Sequence, residues 1–106
     1  QLPSAISNDA GRRARFLKRA QYLSVQIGSD GEELKFPPQR WDNLPLGEFP
    51  GNEKVKISAA VWDRDREGKL RSYSVMKGTV TVTPEEVRGK DILLRLTSRI
   101  SAKDYD

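Results

Sequence analysis

Apolar and polar residues alternate most regularly between Val55 and Ile100. Val55, Ile57, Ala59 and Val61 share one parity, and Lys56, Ser58, Ala60 and Trp62 share the other. Successive strand side chains point to opposite faces, so this run predicts a strand with an apolar row inward and a mostly polar row outward, Trp62 excepted. Asp63 to Lys69 then interrupts the alternation with charge and a glycine, as a loop between strands does. Leu70 to Thr83 is rich in Val, Thr and Tyr, residues that suit a pleated surface. Its parity changes near Lys77-Gly78, which predicts a bulge or a short bend at Gly78. Thr83-Pro84-Glu85-Glu86 has a capping residue, a proline suited to the first helical position and a glutamate three residues on. With Gly89 following, it predicts one helical turn. Ile92, Leu94, Leu96 and Ile100 predict a last strand.

The first half is less periodic. Gln1 to Ser7 reads as a flexible N-terminus. Asn8 or Asp9 would cap a helix from about Ala10 to Gln21. Leu23, Val25 and Ile27 alternate inward, Gly28-Ser29-Asp30-Gly31 turns, and Leu34 and Phe36 return, which predicts a hairpin. The predicted core is Leu23, Val25, Ile27, Leu34, Phe36, Val55, Ile57, Val61, Val80, Val82, Ile92, Leu94 and Leu96. Pro37 to Lys54 carries four prolines and no period, which reads as a long loop packed on the body, with Trp41, Leu46 and Phe49 sealing one end of the core. Ser101 to Asp106 reads as a C-terminal tail.

A chain of 106 residues is one domain, here residues 8 to 100, long enough to bury about two-thirds of its unfolded surface. It has no cysteine and no histidine. That excludes disulfides, thiolate chemistry, Cys/His zinc sites and a Ser-His-Asp triad. The acids Asp42, Glu48, Glu53, Asp63, Asp65 and Glu67 remain for acid–base chemistry. Each lies in a turn-rich or charged context, and nothing selects a pair. The expectation is a protein that is not an enzyme and has no evident small-molecule substrate. No feature assigns a compartment.

Net charge is +4. Arg12, Arg13, Arg15, Lys18 and Arg19 place five cations within eight residues, and no acid follows Asp9 until Asp30. Such a helix would dock on phosphate or another anionic surface by releasing counterions. Trp41, Phe49, Trp62, Arg64 and Arg66 form the matching candidate contact set for a partner, since aromatic residues and arginine are enriched at interface centres. Arg40-Trp41, Lys69 to Arg71 and Tyr73 would join the basic helix in a cationic, aromatic face for single-stranded nucleic acid.

Asp63, Asp65 and Glu67 stand two apart before Gly68, a spacing that would aim oxygen ligands at a hard cation such as calcium. Within Ala60-Val61-Trp62-Asp63-Arg64-Asp65-Arg66, the apolar-Trp-Asp-x-Asp-Arg order resembles the strand and third calcium loop of C2 domains. The glycine-led strand Gly78 to Val82, the turn at Pro84 to Arg88 and the apolar run Ile92 to Leu96 follow in a similar order, and Trp41 would stand for an upstream tryptophan. The resemblance covers residues 41 to 96. It implies an antiparallel β sandwich, calcium ligation by Asp63 and Asp65, and phospholipid binding. Lys69 and Arg71 stand where the family has a further acid, which implies a form without calcium.

The expected fold is mainly β, or β-rich α+β: five or six antiparallel strands in a sandwich or half-open barrel with a basic N-terminal helix. The expected function is a non-catalytic interaction module without a cofactor. It would dock in a larger protein assembly or on an anionic surface, with a protein as the first partner and an anionic membrane or nucleic acid as the alternatives.

Overall fold

The computed structural model describes residues 1–42, 44–45 and 52–106. Its centre is one antiparallel sheet of five strands, with β1 at Ala20–Ile27, β2 at Glu33–Phe36, β3 at Val55–Asp63, β4 at Met76–Val82 and β5 at Thr97–Ser98. The strand order is β2-β1-β3-β4-β5, and the sheet does not close on itself. Three helices flank it: α1 (Ser4–Ser7), α2 (Ala10–Arg19) and α3 (Pro84–Val87). The chain is thus mainly β with a few short helices. No helix among the described residues is long and apolar enough to cross a membrane.

The register follows the alternation. Leu23, Val25 and Ile27 of β1 face Val61, Ala59 and Ile57 of β3, and on the other side Leu23 and Val25 face Phe36 and Leu34 of β2. Met76, Val80 and Val82 continue the inner face on β4, opposite Val61, Ile57 and Val55. One face of the sheet therefore carries the core, which α1, α2 and the C-terminal segment complete with Ile6, Phe16 and Tyr105.

Helix α2 begins where Asp9 accepts the Arg12 backbone N–H at 3.0 Å and ends at Ala20, whose backbone is already extended (φ −65°, ψ 136°). Helix and strand thus join without a linker. The helix stops two residues short of the expected Gln21 because the β-type pattern of β1 claims Ala20 and Gln21 first.

Four expectations change. The N-terminus is not loose at residues 4 to 7, because α1 buries Ile6 to 1% exposure. No bulge interrupts β4: residues 70 to 75 form a loop that absorbs the change of parity, and Met76, Gly78, Val80 and Val82 share one face. Gly78 serves a different need, since a Cβ there would lie 2.1 Å from the Arg95 carbonyl oxygen. The last strand shrinks to Thr97–Ser98. Residues 91 to 96 cross outside the ladder, leaving Leu93 59% exposed while Ile92, Leu94 and Leu96 still pack on the core. Residues 101–106 turn back as a short 3-10 helix, Ala102–Tyr105, and bury the Tyr105 ring completely.

Candidate binding surface

The alternation that makes Ile57, Ala59 and Val61 inward-facing continues to Asp63, so the strand carries this carboxylate into the core at 0% exposure. An unpaired carboxylate there would be strongly destabilising. Arg71 Nε donates to Asp63 Oδ1 at 2.9 Å and the Tyr105 hydroxyl donates to Oδ2 at 2.6 Å. Arg71 Nη2 also donates to Asp104 Oδ2 at 2.6 Å, and Arg19 Nη2 reaches the same oxygen at 2.7 Å. Arg19 continues to the carbonyls of Arg64 and Asp104, both at 2.9 Å, and lies over the Tyr105 ring at 4.6 Å. Arg66 donates to the carbonyls of Lys103 and Asp104, Arg15 to that of Tyr105, and Arg12 to the Asp106 carboxylate. The result is a clasp that ties helix α2 and the β3–β4 loop to the C-terminal segment.

Its electrostatics are coherent. Burial opposes the charge on Arg71, yet the Asp63 charge and the bonds around it hold that guanidinium above its usual range. Burial alone would raise Asp104, but bonds and charge from Arg19 and Arg71 hold it below the usual carboxylate range. Burial, followed by the bond to Asp63, pushes the Tyr105 phenol upward. No buried side-chain polar atom among the described residues lacks a partner.

The sequence-predicted sites divide on this clasp. Of the five helix cations, Arg12, Arg15 and Arg19 are engaged within the chain, while Arg13 and Lys18 are exposed. Arg66 is engaged likewise, and Arg64 closes its own loop by donating to the Gly68 carbonyl. The three candidate metal ligands do not converge. Asp63 is held by Arg71 and Tyr105. Asp65 Oδ1 accepts the backbone N–H groups of Glu67 and Lys69, the latter chiefly holding its pKa down, and Glu67 is exposed. Among the described residues no group of three or more His, Cys, Asp or Glu could hold a metal ion. The partner-contact set is also split. Trp41 donates its indole N–H to the Phe36 carbonyl and packs near Phe16 on the core side, Trp62 sits on the opposite face, and Phe49 lies outside the described residues.

The outer face of the sheet is a second open surface, besides the Arg13 and Lys18 side of α2. The residues between the core positions are Tyr22, Ser24 and Gln26 on β1, Glu33 and Lys35 on β2, Lys56, Ser58, Ala60 and Trp62 on β3, and Lys77, Thr79 and Thr81 on β4. Tyr22 and Trp62 are directly opposed and stack, with ring centroids 6.3 Å apart and planes 26° apart. Lys35 Nζ sits 4.9 Å from the Tyr22 ring centroid. Beside them small side chains, Ala60, Ser24, Ser58 and Ser74 among them, leave a shallow trough of about 350 Å³ that Lys77 and Glu33 also line. Tyr22, Lys35 and Lys77 were missed as site residues. The available signal was the outward parity of Trp62, which asks what stands opposite it. A larger groove of about 890 Å³ opens on the core side between Leu23, Ile57, Trp41 and the Pro84 to Leu96 segment.

No protein-family model, curated protein or solved structure matches this chain significantly.

Proposed function

We propose that the chain is a non-catalytic binding module that docks on an anionic ligand through the outer face of its sheet. One observation carries this reading. The arginines of α2 and the β3–β4 loop are mostly engaged with the chain's own oxygens, whereas Lys35 and Lys77 are exposed on the strands flanking the two that carry the Tyr22–Trp62 pair, Lys56 is exposed at the far end of the same face, and Glu33 is the single acid on that face's strands. Lysines around a shallow trough attract anions and shed counterions on contact. For the architecture, we favour a half-open barrel over a sandwich, because all five strands belong to one unclosed sheet. A calcium-dependent, C2-like form has little support, since Asp63 already has both oxygens in hydrogen bonds.

The test is a titration with inorganic polyphosphate at increasing salt. Binding that weakens with salt and is lost in a Lys35→Glu, Lys77→Glu double variant supports the reading. Binding that survives those changes but is lost in Arg13→Glu, Lys18→Glu would move the site to helix α2. A protein partner with an acidic surface would be an instance of the same reading.

A further inference from the structure

We propose that the anionic ligand of this face is a single-stranded nucleic acid, with bases stacking at Tyr22 and Trp62. The inference rests on the anionic-docking reading above and adds the aromatic pair to it. Three features distinguish this ligand from a lipid surface or a simple polyanion. First, Tyr22 and Trp62 are only half-buried although they stack on each other, so ring surface stays open on a face otherwise made of small polar residues. Exposed rings on a sheet are platforms for nucleobases, which all present a π-face. Second, Lys35 already lies over the Tyr22 ring, held there by cation–π attraction. A base taking that seat would displace the ammonium toward the phosphate that accompanies it. Third, the adjoining trough has hydroxyl and amide groups at Ser24, Gln26, Ser58, Ser74 and Thr79 among small residues such as Ala60, with Lys77 and Glu33 also lining it. These donors and acceptors suit base edges and sugars, and the trough is too shallow to take up an acyl chain.

The dimensions agree. Lys35 lies on β2 and Lys77 on β4, three strand spacings apart in the order β2-β1-β3-β4, or about 14 Å at the usual 4.7–4.9 Å per spacing. Lys35, Ser24, Ala60 and Lys77 form one row across the sheet, and the Tyr22–Trp62 pair lies two residues along the same central strands, so a single strand laid across meets lysine at both sides with the aromatic pair beside its path. A duplex keeps its bases stacked inside, where rings on a flat sheet do not reach them. Among the described residues this face carries no projecting helix to enter a groove.

The experiment uses the full chain, labelled with ¹⁵N, titrated with a ten-residue oligothymidylate and, separately, with polyphosphate of equal charge. The Trp62 indole N–H is the reporter, and Lys35→Ala, Lys77→Ala and Trp62→Leu are the variants. The expected result is a Trp62 shift with the oligonucleotide, affinity at least ten-fold above that for polyphosphate, and a loss of roughly ten-fold or more in Trp62→Leu. If Trp62→Leu fails to fold, the wild-type indole shift and the two lysine variants decide the matter. Equal affinity for both ligands with an unmoved Trp62 overturns the nucleic-acid assignment and leaves anionic docking standing. Failure to bind either ligand overturns both.

Discussion

The clasp and the outer sheet face draw on the same kind of residue and treat it in opposite ways. Both are cationic, and both place an aromatic ring beside a cation: Arg19 over Tyr105 in one, Lys35 over Tyr22 in the other. In the clasp the cations are arginines. A guanidinium offers five donors in a planar fork, so Arg19 and Arg71 can each satisfy several oxygens at once in a partly buried site. On the open face the strand cations are lysines, whose compact, strongly hydrated charge stays in water. A count of positive residues along the chain therefore overstates the charge available to a ligand, and the identity of each cation says more than its number.

This contrast can be broken from the clasp side first. Asp63→Ala would leave Arg71 and the Tyr105 hydroxyl without their buried partner, and a loss of about 3–5 kcal/mol is expected by urea denaturation. A change below about 1 kcal/mol would show that the buried carboxylate is dispensable. Tyr105→Phe removes one bond to a buried charge and should cost about 1.5–3 kcal/mol. It should also alter the alkaline behaviour. The phenol is raised in the folded state, so its contribution is complete below the unfolded value of about 10 and is lost as pH climbs beyond it. Stability above about pH 10 should therefore fall less steeply in Tyr105→Phe than in the wild type.

Asp104 gives the acid counterpart. Its carboxyl is depressed in the folded state, so its contribution is present above the unfolded value of about 3.9 and is lost as pH falls through and below that point. Thermal melts in Asp104→Asn should be lower at neutral pH and less steeply dependent on pH below about 4. The smallest effect belongs to the open face. Lys35→Ala should change stability by only about 0.5–1 kcal/mol, the scale of an exposed cation–π contact. A larger loss would mean that this face is a structural element like the clasp.

The sheet was legible because period-two alternation is a local signal. Leu23 to Ile27, Leu34 to Phe36 and Val55 to Val61 appear where the pattern places them, in the register it implies. The same alternation also marks Asp63 as inward, but charge in Asp63 to Glu67 reads more readily as loop, and the carboxylate's burial depends on Arg71 and Tyr105 arriving from elsewhere in the chain. Tyr105 itself sits in a hexapeptide of mostly polar residues, where nothing local signals a buried ring. The apolar run from Ile92 to Leu96 has strand chemistry without a strand, because it packs across the core face instead of joining the ladder. The outer face was half visible: Trp62 showed its parity, while its partner Tyr22 depended on the register between β1 and β3.

The clasp also bears on the order of events in folding. Its bonds join residues 94 apart for Arg12 and Asp106, 85 apart for Arg19 and Asp104, and 42 apart for Asp63 and Tyr105. The β1–β2 hairpin, by contrast, closes across a five-residue connection. Loop-closure entropy makes contacts of such separation late arrivals, formed once the sheet has brought the two ends of the chain near each other. Interactions absent from the transition state govern how fast the native state is left rather than how fast it is reached. The clasp is then a brake on opening, and substitutions in it should lengthen the unfolding limb's reach while leaving the refolding limb nearly where it was.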